Sequence, residues 1–209
     1  MNEELDERIR RIYEAIGASV DTDGRGYASE IAYVGDGQFE SRVRFSNDSN
    51  QAQLQNIVFT TVHNVANLKD HLKTWARSNN KDPEAIKRAV DGSLELRVVL
   101  DLSNLDKHGP LRQGDSGYSD LRPRLTEFRQ ALTLVPEGRG YRTSGSVIVS
   151  PFGEPPQVQF DGTCVQVMAD IVDQSGKCIG EIMSYARSAV HAWETLLAEY
   201  GLLLDETPG

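Results

Sequence analysis

Residues 50–78 read NQAQLQNIVFTTVHNVANLKDHLKTWARS, and this stretch carries the strongest pattern in the chain. Apolar or small side chains recur there at alternating spacings of four and three residues without a break. Such a rhythm places these side chains on one face of a long α-helix, where they form a seam that packs against another helix. The seam positions are Leu54, Val58, Thr61, Val65, Leu68, Leu72 and Trp75.

A second helix is predicted directly after the connection NNKDP. Asp82 is a favourable N-cap and Pro83 fits the first helical position, so we expect the helix to run from Pro83 to about Lys107, with a bend at residues 91–93. The connection is short, which predicts that the two helices lie antiparallel. Its apolar face continues through Leu94, Val98, Leu102 and Leu105.

Shorter elements flank this helix pair. Residues 3–17 show the apolar spacing of an amphipathic helix, and 27–46 alternate around the turn sequence GDG as a β-hairpin does. Beyond residue 120 the pattern changes to a period of two, and a last amphipathic helix spans about 180–200. Strands are predicted in LTEFRQALTLV, GSVIVS, PQVQF and TCVQVMADIVD, with a turn at DQSGK.

This order of elements predicts an α+β fold. We expect an antiparallel helix pair or helical bundle, packed with a small antiparallel β-sheet and a C-terminal helix. The length of 209 residues suits a single domain over 1–209. Within it, 1–110 form a helical core with a hairpin insert, and 120–209 form the sheet and the last helix.

Composition restricts the classes of function. The net charge of −9 argues against a surface that is basic throughout, which general nucleic-acid binders need. The charged N-terminus has no apolar segment typical of a secretion signal, and no stretch is long and apolar enough for a membrane span. We therefore expect a cytoplasmic protein with no membrane partner, with Cys164 and Cys178 as reduced, buried thiols.

Polar side chains form one stripe on each long helix. The spacings are four, three and four on the second helix, and four and three on the first, so each set lies on one helical face. An antiparallel pair would bring His63 near the end of the second helix, close to His108, and Asn67 or Asp70 near its beginning. The stripes are Arg97, Asp101, Asn104 and His108 on the second helix, and His63, Asn67 and Asp70 on the first.

Three interpretations of these stripes remain open. They are solvated faces with pairs such as Arg97–Asp101, or they line a ligand site. A metal site of His63, Asp70 and His108 is less favoured, because two histidines and one carboxylate from separate helices form a weak pattern. We expect neither a metal ion nor a cofactor.

The segment LSNLDKHG, residues 102–109, resembles the motif of the HEPN superfamily, Arg-Asn-x-x-x-His followed by Gly at the end of a helix. Asn104 and His108 match the Asn and His, whereas Ser103 stands where the family has Arg. The segments NLKDHL, LSNLDKHG and ADIVDQSGKCIGE also resemble an uncharacterised bacterial protein family, which implies no activity.

The HEPN resemblance implies a homodimer that brings two motifs to one cleft and, in active members, a metal-independent endoribonuclease. There the His moves protons and the Arg stabilises the charge on the phosphate in the transition state. Here Arg97 lies too far along the helix and Lys107 points away, so Arg112 is the expected replacement cation. The implied catalytic set is His108, Asn104 and Arg112.

The missing Arg favours a binding module over an efficient nuclease. Residues 109–129 combine several Arg side chains with Tyr118, a mixture that can hold single-stranded nucleic acid. We therefore expect a non-catalytic HEPN-like binding or interaction module whose ligand is a nucleotide or RNA, and the sequence leaves open whether it is an enzyme. The alternatives are an endoribonuclease of toxin or defence type and a structural or regulatory partner of another protein. The expected ligand-binding residues are His63, Asn67, Asp70, Arg97, Asp101 and Lys107.

Overall fold

The protein is α+β, with five helices and eight strands in the described part of the chain. The computed structural model describes residues 3–18, 20–21, 27–35, 38–45, 50–110, 117–134, 145–148, 157–160 and 163–202. They divide into two compact units. The helical unit lies within 1–19, 51–129 and 168–209, and the strand unit within 20–50 and 130–167. That the chain forms a single domain stays a prediction.

The helices are α1 Glu3–Ala18, α2 Gln51–Ser78, α3 Glu84–Gly92, α4 Leu94–His108 and α5 Ile182–Tyr200. The strands are β1 Val20–Asp21, β2 Tyr27–Gly35, β3 Gln38–Phe45, β4 Arg124–Leu134, β5 Gly145–Ile148, β6 Gln157–Phe160, β7 Thr163–Val172 and β8 Cys178–Glu181.

The predicted seam of α2 is confirmed as the centre of the helical unit. Its first six positions are buried, and only Trp75, at the end, is half-buried. Trp193 of α5 is 1% exposed, and its indole N–H donates to the backbone carbonyl of Val65 at 3.1 Å. Burial of the aromatic and aliphatic side chains on the facing sides of α2 and α5 is the main favourable contribution to the stability of such a bundle.

The predicted second helix is two helices, α3 and α4. Ser93 between them is extended, with φ −119° and ψ 117°, and its hydroxyl accepts a hydrogen bond from the Leu96 N–H at 3.1 Å. A serine in extended conformation that satisfies a free N–H of the next turn is a strong helix start. The expected bend at 91–93 is thus a complete break. The N-cap of α3 is Pro83 and not Asp82 as predicted, although the Asp82 carboxylate accepts a hydrogen bond from the Glu84 N–H at 2.9 Å.

The strands form two sheets. In the first, β7 pairs antiparallel with β1 and with β8, and β4 is its other neighbour. In the second, the order is β3-β2-β6-β5, and the predicted hairpin of β2 and β3 pairs Tyr27 with Phe45. The four predicted strands after residue 120 are confirmed, whereas β8 was not predicted.

Two other expectations can be compared with the structure. Cys178 is exposed on β8, so the prediction of a buried thiol was wrong there, and the side chain of Cys164 lies outside the described residues. A short edge strand presents alternate side chains to solvent, which accounts for the exposure. Among the described helices, none has the length and apolar character needed to span a membrane.

The cap at Ser93 gives a testable prediction. Ser93→Ala removes the acceptor for the Leu96 N–H, so the free energy of unfolding should fall by about 1 kcal/mol in urea denaturation. The matched control is Ser188→Ala on the exposed surface of α5, which should change stability little. Equal effects of the two substitutions would contradict a capping role for Ser93.

Candidate functional site

A cleft of about 710 Å³ opens at the C-terminal end of α4, within the helical unit. One wall is a face of α4, and the opposite wall is the segment 122–124 that enters β4. The helix contributes Asp101, Asn104, Leu105 and His108, followed by Gly109 and Pro110. The other side contributes Arg122, Pro123, Arg124 and Gln174.

The helical period brings part of the predicted stripe together. Asp101, Asn104 and His108 are three and four residues apart and all line the cleft. The imidazole of His108 and the amide of Asn104 therefore share one concavity. Both residues are exposed, so their polar groups are accessible to a ligand.

The carboxylate of Asp101 fixes the opposite wall. Asp101 is 7% exposed, and its two oxygens accept hydrogen bonds from the backbone N–H groups of Tyr118 and Ser119 and from the Ser119 hydroxyl, each at 2.7 Å. We call this set the Asp101 clamp. Hydrogen bonds to an ionised acceptor are among the strongest in proteins, so the clamp holds residues 118–119 on α4.

Gly117 permits this close approach. A Cβ at that position would lie 2.7 Å from Asp101 Oδ1 and 3.0 Å from Oδ2, closer than a carbon and a carboxylate oxygen can pack. Only a residue without a side chain leaves room for the carboxylate at this point of the backbone.

The segment after the clamp carries the two arginines of the cleft. The N–H of Gln174 donates to the carbonyl of Leu121 at 3.0 Å, and Pro123 is buried, so Arg122 is held from both sides. Its backbone lies in the left-handed region, with φ +47°. Arg122 and Arg124 are both exposed, and among the described residues neither has an ion pair or a hydrogen bond.

The turn that carries Gln174 is itself well ordered by hydrogen bonds. Asp173 Oδ1 accepts from the Ser175 hydroxyl at 2.6 Å and from the Lys177 N–H at 3.0 Å, as the predicted turn requires. The hydrogen bond from the Ser175 hydroxyl is the largest cause that lowers the pKa of the Asp173 carboxyl. Desolvation opposes it, and the backbone N–H groups of Lys177 and Ser175 and the positive charge of Lys177 lower the pKa further.

His63 does not approach His108, contrary to expectation. Its Nδ1 lies 2.9 Å from Ser103 Oγ and its Nε2 lies 2.8 Å from Asp106 Oδ2. At about 100° per residue, Ser103 and Asp106 lie roughly 140° and 160° around α4 from His108. The two imidazoles are therefore on opposite sides of α4, and His63 links α2 to that helix.

The other residues predicted to bind a ligand do not meet at one site. Asn67 accepts from Lys107 Nζ at 2.6 Å, in the last turn of α4, and not near the beginning of the second helix as expected. Asp70 is exposed, 3.9 Å from Lys69 Nζ. The expected Arg97–Asp101 pair is not formed in the described part of the chain, because Asp101 turns to the clamp. Arg97 does not line the cleft, and its Nε is buried without a hydrogen bond.

Arg112, the expected replacement cation, lies outside the described residues. Sequence reasoning missed Arg122, Arg124 and Gln174 as neighbours of His108. The only signal was the concentration of Arg in 109–129, which indicates positive charge but not the face of α4 that it meets. In the same described set, no group of three His, Cys, Asp or Glu side chains is arranged to hold a metal ion.

Comparison with known proteins adds no assignment. The chain matches no protein-family model, no curated protein and no solved structure at a significant level.

The Asp101 clamp gives a second prediction. Gly117→Ala should push the chain away from the carboxylate and leave a buried acceptor without its donors, so the free energy of unfolding should fall by about 1–3 kcal/mol. The control is Gly92→Ala at the end of α3, where a Cβ would meet no atom within 4 Å. That variant should be as stable as the wild type or slightly more stable. Equal unfolding midpoints in urea for the two variants would contradict the clamp.

Proposed function

We propose that this protein is a HEPN-like binding module that holds the phosphate of a nucleotide or RNA in the α4 cleft. One observation carries the proposal: His108 and Asn104 share the cleft with Arg122 and Arg124, whose guanidinium groups have no partner among the described residues. The proposed setting is the cytoplasm.

The chemistry of the lining suits a phosphate ester. A guanidinium presents parallel N–H donors to two phosphate oxygens, and it is more weakly hydrated than an ammonium, which favours its use in recognition. His108 adds a donor that carries positive charge when protonated. Pro110, Pro123 and Leu105 offer apolar surface for a ribose or a base beside these polar groups.

The side-chain amides of Asn104 and Gln174 can recognise a ligand through uncharged hydrogen-bonding groups. Each amide carries two donors and an acceptor, so it can bind a hydroxyl or a base edge without adding charge. Together with the arginines they provide the few convergent polar groups, set in a partly apolar concavity, that small-molecule sites have in common.

A second candidate is the metal-independent endoribonuclease. It is favoured by the same pair of guanidinium groups, which offer the positive charge that this chain lacks at Ser103, where the HEPN motif has Arg. Ser103 is 1% exposed and forms a hydrogen bond with His63. Because this position supplies no positive charge, a cation beside His108 has to come from another part of the chain. In this form of the proposal, His108 moves protons, Asn104 orients the ribose, and a two-fold dimer brings two copies of the motif to one substrate.

The binding proposal predicts the effect of removing the arginines. Arg122→Ala and Arg124→Ala should each weaken binding of a labelled single-stranded RNA or a labelled nucleotide about tenfold or more, since each removes a charge-assisted contact. Fluorescence anisotropy measures the dissociation constants. Arg187→Ala, which removes an exposed arginine of α5, is the matched control and should bind as the wild type does. Failure of the wild type to bind either probe would end the proposal and leave the protein-interaction alternative.

The nuclease candidate predicts cleavage of labelled RNA in the presence of EDTA. His108→Ala should lower the rate by roughly 100-fold or more, because general acid–base catalysis by a positioned side chain supplies about that factor. The control is His191→Ala on α5, whose side chain is 82% exposed. Absence of cleavage by the wild-type protein, or equal cleavage by both variants, would rule out this candidate.

A further inference from the structure

The number of lysine and arginine side chains that line the cleft limits how many phosphate groups it can bind. Among the described residues that line the cleft, Arg122 and Arg124 are the only lysine or arginine side chains. Lys107 donates to Asn67, Lys69 donates to the hydroxyl of Tyr118, and Arg129 pairs with Asp170 at 2.8 Å.

The charges around the cleft do not favour the binding of an extended polyanion such as a long RNA strand. The net charge of the chain is −9, and Asp101 itself lines the cleft. The cleft also lies at the C-terminal end of α4, where the unpaired carbonyl groups of a helix carry partial negative charge. An anion here must be bound by side chains, and among the described lining residues a further phosphate along a strand would meet no additional lysine or arginine.

Arg122 is fixed in place by its backbone. Residues other than glycine rarely adopt φ near +47°, and strained positions of this kind concentrate where a side chain is used. Two neighbours impose the conformation, namely Leu121 through its bond to Gln174 and the buried Pro123.

We propose that the cleft is specific for ligands with one or two phosphate groups, such as a nucleoside mono- or diphosphate or the phosphorylated end of a strand, and does not bind an RNA tract. The inference rests on the proposed function and narrows its ligand class. Two guanidinium groups without a partner among the described residues supply two positive charges, which match about one terminal phosphate or two phosphodiester groups. The cavity of about 710 Å³ falls within the size range of small-molecule sites.

The experiment compares ligand length and salt dependence. Calorimetric titrations use AMP, ADP, and single-stranded RNA oligomers of increasing length with and without a 5′ phosphate, over a series of KCl concentrations. Affinity should stop rising once a ligand carries two phosphates, and log K should fall with log salt at a slope of about −1.4 or shallower. Binding only to the oligomers with a 5′ phosphate identifies a strand end as the source, and binding to AMP and ADP identifies free nucleotides.

Other outcomes separate the two proposals. Affinity that grows steadily with oligomer length, with a slope steeper than about −2, would overturn the narrow ligand class while leaving RNA binding intact. No binding to any of these ligands would overturn both.

Variants of Arg122 test its role directly. Arg122→Gly relieves the strain of the left-handed backbone, so the midpoint of thermal unfolding should stay level or rise. It also removes the charge, so the affinity for ADP should fall at least tenfold. Asn80→Gly, at another left-handed residue with φ +54° outside the cleft lining, is the matched control and should leave affinity unchanged. Arg122→Gln retains the strain and removes only the charge, and it should lose affinity to the same extent. Unchanged ADP affinity in both Arg122 variants would refute the assignment.

Discussion

The carboxylate of Asp101 lies in the wall of α4 where little water reaches it, and it receives three hydrogen bonds from residues 118 and 119. A buried carboxylate without a neighbouring cation is costly unless its oxygens are hydrogen-bonded. The fold meets this cost by bringing the backbone N–H groups of the segment before β4 onto the helix. The position of that segment, and of the arginines that follow it, therefore depends on one side chain of α4.

The last turns of α4 are held on two sides. The face with Asp101, Asn104 and His108 meets the clamp and the cleft, while the opposite face meets α2 through His63 and Asn67. These polar links leave few ways for α4 to rotate or slide, because a small rotation would break bonds on both sides at once. The break at Ser93 separates this constraint from α3, so the direction of α4 is set by its own contacts.

Much of the fold was predictable because it depends on local rules. The seam of α2, the hairpin of β2 and β3 and the turn at Asp173 follow from periodicity and turn chemistry. β8 was missed because Cys178–Glu181 lies between the predicted turn and the predicted last helix, whose apolar pattern was read from about residue 180. The partners of Asp101 and His63 were missed because they lie 17 and 40 residues away, and no local rule decides which of several polar neighbours a side chain will meet. Three residues of the predicted stripe on α4, Asp101, Asn104 and His108, line the cleft, whereas Arg97 does not, and the arginines that face them were not predicted.

The positive charge of this cleft stands elsewhere than in the HEPN motif with which the sequence of residues 102–109 was compared. In that pattern the cation directly precedes the Asn on the same helix, whereas here Ser103 turns inward to His63 and the two guanidinium groups come from a separate segment. Binding requires only that a guanidinium reach a phosphate oxygen, and Arg122 starts from a restrained backbone, which reduces the entropy lost on contact. Catalysis requires in addition that the same guanidinium lie within hydrogen-bond distance of the phosphate that His108 acts upon. Arg122 and Arg124 line the cleft with His108, which is what the first requirement asks for, and this is why we place binding first.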